Sequence, residues 1–167
     1  MHTSTEQPHT YRLTIELVPS TCWFSNMRTK FPKRVWDAIR KEVYARYQHR
    51  CGICQDGSGR MNCHEIWHYD DETHVQRLDG FIALCDLCHH VKHIGLASIL
   101  ASKGQLDYEA VIHHFMRVNA CSREDFERYR EQAFQQWSER SAHQWITDTG
   151  EYADQIVESE KKEGSTQ

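Results

Sequence analysis

Two Cys-x-x-Cys pairs constrain the fold of this chain more than any other feature. Cys51 and Cys54 form the first pair, Cys85 and Cys88 form the second, and 30 residues lie between them. Each pair can direct two sulfurs at one ion, and zinc prefers four thiolate or imidazole ligands in a tetrahedron. The four cysteines therefore predict one structural zinc site. The insert is longer than the roughly 15 to 20 residues of a simple finger, so it must itself be folded.

Length and composition predict one domain. The chain has 167 residues, of which 39% are apolar, and this is enough to form a single core. We expect a disordered N-terminus over residues 1–10, a single domain over 11–150 and an acidic disordered tail over 151–167. Within the domain we place a zinc finger core at 51–95 and a helical extension at 105–140.

Cysteine usage and hydropathy predict a cytoplasmic protein. Seven cysteines are an odd number, and five of them lie in the metal-dense centre of the chain. The polar start of the chain lacks the apolar region of a signal peptide. The longest nearly apolar run, Ile94 to Ala101, is far shorter than the roughly 20 residues that span a bilayer. We therefore expect a reducing compartment and no membrane partner.

The chain is acidic overall, but its positive charge is concentrated in one stretch. The formal net charge is −4, whereas the stretch from Arg28 to Arg50 carries +6. Pro32 and the apolar spacing that follows it predict a helix here. Such a basic helix is either a solvated face or a stripe that follows a phosphate backbone. The candidate nucleic-acid contacts are Lys33, Arg34, Arg40 and Lys41.

Alternating apolar residues and turn residues predict several strands. An N-terminal strand is expected over Tyr11 to Val18, and a second strand over Met61 to Trp67. Val75 to Leu78 and Phe81 to Leu84 flank Asp79-Gly80, a dipeptide that supplies the positive φ angles of a tight hairpin turn. Pairing of these strands would return the second cysteine knuckle to the first.

Helices are expected after the second knuckle. One should begin near Asp86 and run to about Ser102. It places His89 and His93 on one face, because residues four apart are neighbours on a helix. Two amphipathic helices follow within 105–140. This C-terminal helical pair is either a second layer over the finger or a surface for a homodimer.

The order of these elements resembles the HNH, or His-Me finger, nuclease family. Cys63-His64 stands on a candidate strand, Leu84 to His89 reads Leu-Cys-Asp-Leu-Cys-His at the end of the return strand, and His93 follows on the helix. The resemblance covers residues 51–95. It implies an α+β fold containing a zinc-stabilised ββα-metal finger, to which the N-terminal strand, the basic helix and the C-terminal helical pair are added.

Carried over by position, the resemblance implies a metal-dependent endonuclease that hydrolyses the phosphodiesters of nucleic acid, with DNA favoured over RNA. His64 would be the general base that takes a proton from the attacking water. His89 and His93 would help to hold a second divalent ion that stabilises charge on the phosphate. That ion would be zinc, nickel, manganese or magnesium.

The chain departs from the family at two positions. The family has Asp or His directly before the base histidine, where this chain has Cys63, and the family's Asn five residues before the knuckle is replaced by Gly80. A Cys63 thiolate would suit zinc as a second-site ligand. Neighbouring strand residues point to opposite faces, however, so Cys63 and His64 can share a site only if the strand bulges. The alternative is a buried thiol that packs as a small hydrophobe.

Two other functions fit parts of the same stretch. His64-Glu65-Ile-Trp-His68 matches the His-Glu-x-x-His motif, in which two histidines of a helix bind zinc and the glutamate is the base of a metalloprotease. Alternatively, the finger is a non-catalytic zinc module that binds nucleic acid or a protein partner. Cleavage of peptide, cleavage of nucleic acid and binding without turnover distinguish the three functions.

Overall fold

The chain adopts a mixed α+β fold, as the sequence predicts, over residues 10–22 and 26–156, which the computed structural model describes. A three-stranded sheet contains β1 (Met61–Asp70), β2 (Val75–Cys85) and β3 (Ile146–Asp148). The α-helices of the described ranges are α1 (Lys33–Arg46), α2 (Asp86–Lys92), α3 (Ile94–Ser102), α4 (Tyr108–Asn119) and α5 (Arg123–Ser141). Short 3-10 helices span Met27–Thr29 and Gly150–Gln155.

The sheet is built on one long hairpin. β1 and β2 pair antiparallel along their full lengths, and β3 joins the other side of β2 in parallel. The chain reverses at residues 71–74. The turn that the sequence predicts at Asp79-Gly80 is wrong, because β2 continues through both residues.

Asp79 and Gly80 form an irregularity inside β2 in place of a turn. The pairing passes from Ile66–Gly80 directly to Trp67–Leu78, so Asp79 is an extra residue on the β2 side. Gly80 has a φ of 144°, which residues with a Cβ rarely adopt. The positive φ expected of this glycine is therefore present, but it serves a bulge, which twists the ribbon without reversing it.

Hydrophobic cores lie on both faces of the sheet, because successive strand side chains point to opposite sides. On one face, which we call the α2 face, Leu84 packs with Phe115 of α4 and Phe126 of α5, and all three are fully buried. On the other, the α1 face, Phe81 packs with Trp36 of α1. The sheet therefore separates the basic helix α1 from α2.

The N-terminal segment (residues 10–22) does not contain the strand that the sequence predicts over Tyr11 to Val18. Its backbone bonds to helices instead of to a neighbouring strand. The donors and acceptors are Leu13 N–H to Asn119 Oδ1 (3.0 Å), Ile15 N–H to the Tyr129 hydroxyl (3.1 Å) and Glu16 N–H to the Lys92 carbonyl (3.1 Å). The apolar alternation is real, but it buries Leu13 and Ile15 against helices, where the partners are mostly side chains.

The helix predicted from Asp86 to Ser102 is two helices. His93 lies between α2 and α3 with φ −103° and ψ 50°, outside the helical region. Gly95, a poor helix former, follows closely. The junction between the two helices therefore determines where the side chain of His93 points. None of the helices in the described ranges is long and apolar enough to cross a membrane.

Ordered structure extends further along the chain than the sequence predicts. Residues 150–155 form a 3-10 helix in which Tyr152 packs against Phe31 and Phe81, at ring-centroid distances of 5.9 and 5.3 Å. The disorder predicted from residue 151 is therefore wrong for the start of that stretch. The disorder predicted for residues 1–9 and 157–167 lies outside the described residues.

Replacement of Gly80 by alanine tests the bulge. A Cβ at this position meets no atom within 4 Å, so the cost comes from the positive φ alone. We expect Gly80→Ala to lower the free energy of unfolding by about 1–2 kcal/mol in urea denaturation. Gly59→Ala is the matched control, because Gly59 is equally uncrowded and has no positive φ. Equal stability of the two variants would contradict the strained bulge.

Candidate metal centres

The hairpin brings the two cysteine knuckles together. Cys85 ends β2 and caps the start of α2, and the Gly52 N–H donates to the Ala83 carbonyl at 2.8 Å. Gly52 is required for this approach, because a Cβ there would lie 2.7 Å from a ring carbon of Tyr47. The four sulfurs of Cys51, Cys54, Cys85 and Cys88 all lie within 4.8 Å of one another.

The spacing of the sulfurs fits a metal ion, and all four cysteines are free thiols. Cys54 Sγ and Cys85 Sγ are 3.6 Å apart. Two sulfurs bonded to one tetrahedral zinc at about 2.3 Å lie roughly 3.8 Å apart, whereas a disulfide requires about 2.05 Å. Cys51, Cys85 and Cys88 are buried. Four sulfurs in a closed environment can hold a structural ion such as zinc, as predicted.

Protonation of the four thiols is linked. Hydrogen bonds from Cys85 and Cys88 lower the pKa of Cys51, and the interaction with Cys51 raises the pKa of Cys85 to about 12. The charge on one sulfur therefore opposes ionisation of its neighbours. A divalent cation would allow the others to ionise, since thiolate is the form that binds metal.

A histidine outside both knuckles contacts the cysteine group. His114 of α4 is buried, with its Nε2 3.1 Å from Cys88 Sγ, and an Arg117 Nη atom donates to His114 Nδ1 at 3.1 Å. Arginine can only donate, so Nδ1 accepts and Nε2 carries the proton that points at the sulfur. His114 therefore donates to a candidate metal ligand. The one signal for His114 in the sequence is its position between two apolar residues of α4, Ile112 and Phe115.

Substitution of His114 should weaken zinc binding while the cysteines stay intact. His114→Phe keeps a ring in the core but removes the donor to Cys88. We expect a loss of about tenfold or more in zinc affinity, measured by competition with a chelating dye. The control is His113→Phe, since His113 is exposed on the same helix. If both variants hold zinc like the wild type, the contact has no influence on the ion.

Three histidines converge on the α2 face, next to the cysteine group. His64 comes from β1, His89 from α2 and His93 from the junction after α2. The ring centroids of His64 are 5.5 Å from His89 and 5.0 Å from His93, and those of His89 and His93 are 4.7 Å apart. One nitrogen from each ring lies within 4.8 Å of the other two. The structure thus brings together the three histidines that the sequence singled out, in an arrangement that can hold an ion.

Burial favours the neutral form of two of these rings. It lowers the pKa of His89 to about 3 and that of His93 to about 4, and the neighbouring imidazoles add to both shifts. A neutral imidazole keeps a lone pair, which is the form that accepts a proton or binds a cation.

Glu16 fixes the third ring. Its Oε2 lies 3.0 Å from His64 Nε2, and its Oε1 accepts from Lys92 Nζ at 2.7 Å. Burial raises the pKa of Glu16, but the hydrogen bond from His64 and the charge of Lys92 outweigh this and lower it to about 2. The carboxylate is therefore ionised and can only accept, so His64 Nε2 carries the proton. Sequence reasoning missed Glu16, whose one signal was an acidic residue inside an apolar alternation.

His64 Nδ1 then has a lone pair and no hydrogen-bond partner. Among the described residues it is the one buried side-chain nitrogen or oxygen without a partner, and the His64 side chain is only 4% exposed. Buried polar atoms are nearly always hydrogen-bonded, so an exception calls for a ligand or a functional role. This nitrogen is the strongest sign of chemistry in the site.

Cys63 does not join the histidines, so its assignment as a second-site ligand is corrected. It packs with the residues of the α1 face, and burial raises the pKa of its thiol to about 12. The bulge that would have turned Cys63 towards His64 lies further along, opposite Ile66 and Trp67. Cys63 is a half-buried thiol that packs as a small hydrophobe, close to the alternative interpretation.

The His-Glu-x-x-His motif lies on a strand. His64, Glu65 and His68 all belong to β1. Residues four apart on a strand are separated by roughly 13 Å, so His64 and His68 cannot share an ion. Glu65 is buried and accepts a hydrogen bond from the Met27 N–H at 2.8 Å. The helix that a metalloprotease of this type needs is absent from this stretch.

The basic residues of α1 lie away from the histidines. Asp37 pairs with Lys33 at 2.5 Å and with Arg40 at 2.9 Å. Arg34 and Lys41 are exposed. Because α1 covers the opposite face of the sheet, the structure does not bring these four side chains to the histidine group.

Comparisons with protein-family models, curated proteins and solved structures matched nothing to this chain. The resemblance to HNH nucleases therefore rests on the residues of 51–95 and on the order of their elements. Function has to be inferred from the geometry of the two residue groups, one of four cysteines and one of three histidines.

Proposed function

We propose that this protein is a metal-dependent phosphodiester hydrolase of the HNH type, acting on nucleic acid, with a structural zinc at the four cysteines. The observation that carries the proposal is the unpartnered, buried Nδ1 of His64, beside two further imidazoles. The order β1, β2, α2, with a knuckle before β1 and another at the start of α2, supports a ββα-metal finger.

His64 acts as the general base in this proposal. Glu16 holds the Nε2–H and so leaves the Nδ1 lone pair for the proton of the attacking water. The same carboxylate stabilises the imidazolium that forms, while Lys92 compensates the carboxylate from its other side. Water adds to phosphorus as its proton passes to His64, and one ester oxygen leaves and takes up a proton from solvent. The products are a phosphomonoester and a hydroxyl end.

His89 and His93 hold the divalent ion in this proposal. When bound, a divalent ion would stabilise negative charge on the phosphate and on the leaving oxygen. Imidazole ligands suit zinc, nickel and similar transition ions better than magnesium. The two imidazole ligands therefore favour a transition metal as the second ion, whereas the sequence resemblance alone also allowed magnesium.

Nucleic acid is the proposed partner, with DNA as the first substrate to test. Arg34 and Lys41 are available to contact the phosphate backbone of the nucleic acid at a distance from the cleaved bond. Such contact is independent of base sequence. Lys33 and Arg40 contribute less, because Asp37 already neutralises part of their charge. The rest of the chain is acidic on balance, so α1 is the most basic helix available for such contact.

Hydrolysis assays test the catalytic assignment. The wild type should nick plasmid DNA, or cleave a single-stranded DNA circle, with at least one of manganese, nickel, cobalt, zinc or magnesium. His64→Ala should lose about 100-fold or more of that rate, because a positioned general base contributes on this scale. His90→Ala is the control, since His90 lies on α2 but outside the histidine group. No hydrolysis by the wild type with any metal, or equal rates for His64→Ala, would overturn the proposal.

Metal content distinguishes the proposed base, His64, from the proposed metal ligands, His89 and His93. We expect about two zinc equivalents per wild-type chain after loading, by elemental analysis of the dialysed protein. The double variant His89→Ala, His93→Ala should retain about one equivalent, bound by the cysteines, whereas His64→Ala should retain both. Loss of the second ion in His64→Ala would show that His64 is a ligand and not the base.

A further inference from the structure

A cavity of about 350 Å³ opens beside the histidine group. The N-terminal segment lines it with residues 15–18, β1 lines it with residues of 64–69, and α5 lines it with residues of 133–140. His64 and His93 belong to its wall. A group that enters the cavity therefore contacts the same imidazoles that we assign to catalysis. The volume is near the lower end of small-molecule pockets, roughly 300–1,000 Å³.

Two aromatic residues of the wall, Trp137 and Tyr69, are held in place by contacts with their neighbours. Trp137 donates from Nε1 to the Val18 carbonyl at 2.9 Å. The guanidinium of Arg140 lies 4.7 Å from the Tyr69 ring centroid. Trp67 also lines the cavity, but its side chain packs against the core of the α1 face. Fixed aromatic faces are the usual platform for a planar group such as a nucleobase.

The charged groups of the wall are already paired. Glu16 bonds to His64 and Lys92, and Arg140 bonds to both carboxylate oxygens of Asp71 at 2.7 and 2.8 Å. Glu65 accepts from a backbone N–H. The cavity is thus suited to a neutral planar group, whereas a phosphate would be drawn to the histidines and their ion.

We infer that the cavity holds one unpaired nucleobase next to the phosphate that is cleaved. The substrate class is then single-stranded nucleic acid, or a duplex from which one nucleotide is unstacked. A base inside a regular duplex is stacked on both sides, so it cannot enter a space enclosed by three chain segments. This inference rests on the proposed hydrolase function and adds the strandedness of the substrate.

Binding to a phosphorothioate oligonucleotide of about 12 nucleotides tests the inference. We expect the single strand to bind at least about tenfold more tightly than the fully paired duplex of the same sequence, by fluorescence anisotropy without added divalent metal. Gln136 is exposed on α5 and lines the cavity, so Gln136→Trp should block it and weaken single-strand binding about tenfold. Gln132→Trp is the matched control, exposed on the same helix but outside the wall, and should change binding less than about twofold.

A second variant removes a stacking face without blocking the cavity. Trp137→Leu should weaken single-strand binding, whereas Trp137→Phe should retain most of it, because the phenyl ring still stacks. Far-UV circular dichroism and zinc content verify that each variant is folded. Equal binding of duplex and single strand, or no effect of Gln136→Trp, would overturn the base pocket.

The two proposals fail differently. Preferential single-strand binding without hydrolysis under any metal would remove the hydrolase and leave the base pocket. Hydrolysis at equal rates on single-stranded and duplex DNA, unchanged in Gln136→Trp, would remove the base pocket and leave the hydrolase.

Discussion

The packing of four sulfurs around one point is the constraint on which the rest of this structure depends. It ties the loop after α1 to the junction of β2 and α2, two places that are far apart in sequence. Like charges at this spacing cannot all be present without a cation, so an ion bound here and the fold would stabilise each other. The contact from His114 extends the same link to α4, and through α4 to the helices that cover the sheet.

The histidine group is a consequence of that link and of strand alternation. Because β1 is regular from Met61 to Ile66, His64 must face the opposite side from Cys63. The knuckle at Cys85 and Cys88 starts α2 and so fixes the position of His89. The break after Lys92 fixes the position of His93. The proposed chemistry therefore requires no unusual backbone at His64, and the bulge at Asp79 lies beyond it.

The parts of the site that the sequence predicts are those encoded by short-range spacing. Cys-x-x-Cys spacing identified the cysteine group, and the order of strand, knuckle and helix brought His64, His89 and His93 together. Glu16 and His114 could not be found in this way, because each reaches the site through tertiary packing. The Asp79-Gly80 turn failed for a related reason, since positive φ serves bulges as well as turns. Apolar alternation over Tyr11 to Val18 indicated burial correctly, but it carries no information about which groups bond to the backbone.

The N-terminal segment has a consequence of its own. Leu13 and Ile15 anchor it in the core of the α2 face, and bonds to helix side chains and to the Lys92 carbonyl hold the backbone beside them. The same segment carries Glu16, which bonds to His64, and it lines the cavity with residues 15–18. A substitution that displaces the segment is therefore expected to change the surroundings of His64 and the shape of the cavity together.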